Sequence, residues 1–178
     1  MNRGILWGHN SFGEIKIIGT NELSALLWKE RELLDLLHFK LEEQHLLLIA
    51  GKSQWIQLAT REIENVLGKV KDASLNRAVE AAKQALAWGL DADAPLSEII
   101  VSAPEGLWKE ILAAHLAALR EVSTEIGQLR DSNEQFLRAA HRSTQETLAT
   151  LGNDTSLYGP AGDSSAQASG AHIIDTNL

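Results

Sequence analysis

Six histidines and no cysteine set the chemistry open to this 178-residue chain. Without a thiol there is no thiolate nucleophile, no zinc finger and no disulfide framework. Glu42-Glu43-Gln44-His45 contains Glu-x-x-His, one half of a di-iron bundle signature, but the full site needs a second such motif and two further inward glutamates. No second Glu-x-x-His is present. His38 precedes His45 by seven residues and could share its helix face, yet two imidazoles supply too few donors for a metal centre. His115 and His141 have no carboxylate three or four residues away on either side. Ser102-Ala103-Pro104-Glu105 lacks the Gly-x-Ser-x-Gly elbow, and no phosphate-cradling glycine loop occurs. Asp91 and Asp93 read as solvated turn residues. These residues predict no enzyme, no metal and no cofactor.

The elements that would have to position such residues are helices. Leucine fills 28 positions and alanine 23, aromatics make up 5%, and there are three prolines. Leu and Ala are strong helix formers and strand-favouring residues are scarce, so the composition excludes a β-sandwich or barrel. The net charge of −8 repels phosphate backbones, which argues against a nucleic-acid partner. No apolar run approaches the ~20 residues that span a bilayer, which predicts no membrane insertion. The N-terminus has no secretory pattern, and a cytoplasmic location is expected.

Residues 1–20 hold four glycines and read as a loosely ordered leader. Thr20 or Asn21 offers a cap, and from Leu23 a stripe runs through Leu27, Leu34, Leu41 and Leu48, interrupted by Glu30 and Gln44, until Gly51 ends the helix. Ser53 is the next expected cap. A second stripe follows as Ile56, Ala59, Ile63, Val66, Val70 and Ala73. Near Ser74 its phase slips, so that Leu75, Val79, Ala82 and Leu86 are expected to take over. A short helix fits between Pro95 and Pro104. The last helix spans about Glu105 to Leu151, with Leu119, Val122, Ile126, Leu129, Asn133, Phe136 and Ala140 on its seam. After Gly152 come 26 residues without Lys or Arg, which read as a disordered tail. The expected fold is all-α, an elongated antiparallel bundle of three main helices over 21–151, flanked by the leader and the 152–178 tail.

The last helix is expected to outrun its partners. Its far part would leave Phe136, Leu137, Leu148 and Leu151 as an apolar strip open to a partner or a second copy. Asn133 is either a register-setting polar residue of the seam or the start of the partner-facing region.

In order and spacing, these features resemble the FlgN-type flagellar export chaperones. The matching segments are Leu23-Ser24-Ala25-Leu26-Leu27-Trp28-Lys29-Glu30-Arg31-Glu32-Leu33-Leu34, the Ala50-Gly51-Lys52 turn, Arg77 through Gly89-Leu90, and Leu96 to Ile100. Asn133 with Phe136-Leu137 and Tyr158-Gly159-Pro160-Ala161-Gly162 complete the set, so the resemblance covers roughly residues 21–162. It implies a non-enzymatic chaperone of flagellar type III export. Such a protein binds hook–filament junction proteins of the FlgK/FlgL type by their amphipathic terminal helices, prevents their early assembly and delivers them to the export apparatus. Client contacts are then expected at Asn133, Phe136, Leu137, Ala140, Leu148 and Leu151, and an export-gate contact at Tyr158, on a monomer or weak dimer. Two other readings fit the same chain: a coiled-coil dimeric adaptor, favoured by the Leu27–Leu48 ladder, and a ferritin-like metal bundle.

Overall fold

The computed structural model describes residues 11–154, and side chains from Gly19 to Leu151. Four helices form: α1 (Ser11–Ile49), α2 (Ser53–Ala87), α3 (Leu96–Val101) and α4 (Leu107–Asp154). No strand occurs among the described residues, and the fold is an all-α helical bundle. By compactness the chain divides into Met1–Phe136 and Leu137–Leu178, where the sequence suggests one helical body over 21–151.

Two glycine turns set the path. Gly51 adopts φ +64°, with the Lys52 N–H donating to the Leu47 carbonyl at 2.9 Å and Gly51 N–H to Leu48 at 3.1 Å. This 6→1 and 5→2 pair is a Schellman end, and a residue with a Cβ would be strained at its left-handed position. Gly89 repeats the device with φ +79°, as Leu90 N–H reaches Ala85 at 2.9 Å and Gly89 N–H reaches Leu86 at 3.1 Å. The first turn is so tight that Lys52 both ends α1 and stands at the N-cap of α2. Ser53 is therefore already helical, and the cap expected of it does not form.

In the unit Met1–Phe136, two apolar clusters hold the helices. One joins Leu23 and Leu27 of α1 to Ala81 and Ala85 of α2, Ile99 and Ile100 of α3 and Leu112 of α4. The other joins Leu37 and Leu41 to Ile63 and Val66, with Ile126 and Leu129 packed beside them. Pairs Glu30–Arg77 and Gln44–Thr60 run α2 antiparallel to α1. Ser24–His115 and Leu41–Asn133 run α4 parallel to α1.

Two local expectations are corrected. α1 begins at Ser11 and not at a cap on Thr20 or Asn21. Thr20 is buried, and a Cβ on Gly19 would lie 2.7 Å from Gln84 Oε1, so small residues let α1 continue close against α2 instead of stopping there. α2 also keeps one phase. Ala73 is followed inward by Glu80, Ala81, Gln84 and Ala85, while Leu75, Val79 and Leu86 stand 66%, 52% and 62% exposed. The slip does not occur because Arg77 on the inner side pairs with the buried Glu30 of α1, and the small Ala81 and Ala85 leave room for Leu23, Leu27 and Leu112.

Candidate client-binding surface

The residues that interrupt the leucine stripe are the ones that bind helix to helix. Glu30 is buried and receives the Arg77 guanidinium through Nε and, at 3.4 Å, through Nη2; that same Nη2 donates to Ser74 Oγ at 3.1 Å. Gln44 is buried and donates to Thr60 Oγ1 at 3.0 Å. A buried polar group without such a partner would cost about 1–3 kcal/mol.

Two histidines, His45 and His115, are likewise structural. His45 Nδ1 donates to Asn133 Oδ1 at 2.7 Å, and its ring meets Phe136 edge-on at 5.4 Å between centroids. His45 of the Glu-x-x-His is thus a clasp on α4, while Glu42 is exposed. His115 is buried, with its Nε2 3.2 Å from Ser24 Oγ and Trp28 packed edge-to-face on its ring. Burial, and secondarily the Arg31 cation, hold its imidazole below the ordinary value of 6.5. Among the described residues no group of three or more His, Asp or Glu side chains is placed to hold a metal ion. No helix among them is long and apolar enough to cross a membrane.

The residues expected to face a client divide into three groups. Asn133 is 2% exposed; its Nδ2 donates to the Leu41 carbonyl at 2.9 Å and to Gln44 Oε1 at 3.2 Å, and its Oδ1 accepts from His45. Both of its N–H donors and its carbonyl oxygen are engaged inside the bundle, the arrangement of a register-setting residue. Phe136 is 42% exposed beside His45 and closes the first unit. Leu137, Ala140, Leu148 and Leu151 belong to the second unit and are exposed on α4. Tyr158 lies outside the described residues.

Two residues of this strip escape notice in the sequence because they are formally polar. Leu137, Ala140, Thr144, Thr147 and Leu151 follow at alternating steps of three and four, which keeps them on one stripe. Thr144 Oγ1 donates to the Ala140 carbonyl at 3.0 Å and Thr147 Oγ1 to the Ser143 carbonyl at 2.9 Å. With hydroxyls turned onto the helix's own backbone, these threonines present methyl groups. The stripe is more apolar than its letters.

No significant match was found among curated proteins or among solved structures. The model of the FlgN protein family matches residues 19–166, which takes in the bundle, the exposed strip of α4 and the segment beyond it. The chain belongs to the FlgN family.

Proposed function

We propose that this protein is a cytoplasmic flagellar export chaperone that binds hook–filament junction proteins of the FlgK/FlgL type and hands them to the export apparatus. Family membership supports the chaperone role, and the observation that carries the location is the exposed 3–4 stripe of α4. A client's amphipathic terminal helix lays its apolar side along Leu137, Ala140, Leu148 and Leu151, with the methyls of Thr144 and Thr147 between them. This covers on the client the surface that would otherwise self-assemble. The work is binding, not turnover, and the affinity is moderate because the client must leave at the export gate. Tyr158 serves delivery and not capture.

Co-purification with the terminal helices of the junction proteins tests this. Leu137→Asp and Leu148→Asp are expected to leave the melting temperature nearly unchanged and to abolish co-purification. A fall in stability of several kcal/mol in either variant would make the strip core and remove the reading. Tyr158→Ala is expected to spare client binding and to reduce export. Light scattering on the client-free protein addresses the adaptor alternative, since a stable homodimer would favour it.

A further inference from the structure

α1 carries a second stripe, opposite in character to its buried leucines. Trp28, Glu32, Asp35, Phe39, Glu42 and Leu46 follow at alternating steps of four and three, the spacing of a single helix face. All six are exposed, Trp28 by 54%, Phe39 by 52% and Leu46 by 65%. At its C-terminal end the stripe opens into a groove of about 600 Å³ lined by Leu46, Leu47, Trp55 and Leu58, with Glu43 and Glu62 among its walls. Neither feature contributes to the two cores.

The anchor of this face is already in place. Trp28 Nε1 donates to Glu32 at 3.1 Å, the Arg31 guanidinium lies 5.7 Å from its ring centroid, and the ring edge meets His115. An aromatic fixed beforehand loses little rotamer freedom on contact, and exposed tryptophans are favoured as binding hot spots. The charge of the face is one-sided: Glu32, Asp35, Glu42, Glu43 and Glu62 stand against Lys29, Arg31 and Lys40, five negative and three positive, a net −2. Lys40 is itself divided between Glu43 at 2.6 Å and Glu62 at 2.8 Å. An anionic membrane or a nucleic acid would be repelled here, and two copies meeting through the stripe would set carboxylate against carboxylate.

We propose that the outer stripe of α1, with the groove at its end, is a second docking surface whose occupant is a basic amphipathic helix of a partner protein. Its apolar side chains meet Trp28, Phe39 and Leu46, and its Lys and Arg residues meet Glu32, Asp35 and Glu42. The surface lies in the first unit and rests on no part of the α4 reading.

Calorimetric titration of the full chain at ~0.15 M salt, where exposed charges are screened beyond ~8 Å, tests it. The probes are two synthetic helical peptides of equal length, one built from Leu, Lys and Ala and the other with Glu in place of Lys. The lysine peptide is expected to bind saturably at one site and the glutamate peptide not to bind. Phe39→Ser/Leu46→Ser should weaken binding by about tenfold or more, equivalent to ~1.4 kcal/mol. Asp35→Lys/Glu42→Lys, a variant with no apolar change, should weaken it similarly. Leu148→Asp should leave it unchanged. Absence of saturable binding overturns the proposal, as do equal binding of both peptides or wild-type affinity in both double variants. Loss of binding in Leu148→Asp, or self-association that Phe39→Ser abolishes, would assign the contact to α4 or to a second copy and overturns it too.

Discussion

At the scale of single residues, the interior of this bundle depends on a few satisfied polar groups. Asn133 serves three partners, and replacing it by Ala leaves Gln44 and His45 without their hydrogen bonds to α4. The expected loss is about 2–3 kcal/mol in a denaturant titration, against under ~0.5 kcal/mol for Asn65→Ala on the exposed face of α2. Glu30 and Arg77 form a pair of which only Arg77 reaches water appreciably. Arg77→Ala is expected to cost about 3 kcal/mol because it strands the Glu30 charge, whereas Glu30→Met/Arg77→Met together should cost clearly less than the sum of the single changes. His115 titrates below its ordinary 6.5 in the folded state. The unfolded chain therefore takes up that proton first as the pH falls, so stability is whole above pH 6.5 and declines as the pH drops below it. Thermal melts between pH 7.5 and 5 should show this decline, and His115→Gln should flatten it.

At the scale of elements, α2 is decided by what its two faces meet. Its buried face in the second half is small and polar, and its outer face carries Leu75, Val79 and Leu86. Each of these replaced by Ser is expected to change stability by no more than ~0.5 kcal/mol. Leu23→Ala on α1, a fully buried position in the cluster with Ala81 and Ala85, should cost about 2–5 kcal/mol. Had the phase slipped at Ser74, replacing Leu75, Val79 or Leu86 would carry a core-sized cost as well. The helices end where glycine permits: Gly51→Ala and Gly89→Ala meet no neighbouring atom within 4 Å, so any loss reports backbone strain at positive φ alone.

At the scale of the whole molecule, the proposed client surface and the apolar clusters that hold the fold occupy different parts of the chain. Both apolar clusters lie between Leu23 and Leu129. Removing residues 155–178 is therefore expected to leave the melting temperature within a few degrees of the full chain. Removing residues 1–20 is a different matter, because Thr20 is buried and Gly19 lies against Gln84. That truncation leaves Leu23 in a fraying first turn, and a loss of about 1–2 kcal/mol should lower the melting temperature by several degrees in calorimetry. The family's chaperone role asks for a stable body that keeps apolar surface open to others. Here exposed leucines and aromatics are spread along the outside of α1, α2 and α4 while alanines fill part of the inside.

The sequence alone determined the helices, their order and the turns between them, because leucine spacing, glycine at the helix ends and paired prolines are local signals. It also determined the family, through the order of weak motifs along most of the chain. What it could not decide was which of two apolar sets on α2 turns inward. Leu75, Val79 and Leu86 win any count of hydrophobicity, but Arg77 has Glu30 across from it and Gln84 packs closely against Gly19, and contact between helices is not written in one helix's own pattern. The same reason applies to Asn133, whose spacing fits both a client contact and a clasp, until Leu41, Gln44 and His45 converge on it from α1. Periodicity fixes a helix and the width of its stripe. Only the neighbouring helices fix which stripe is core.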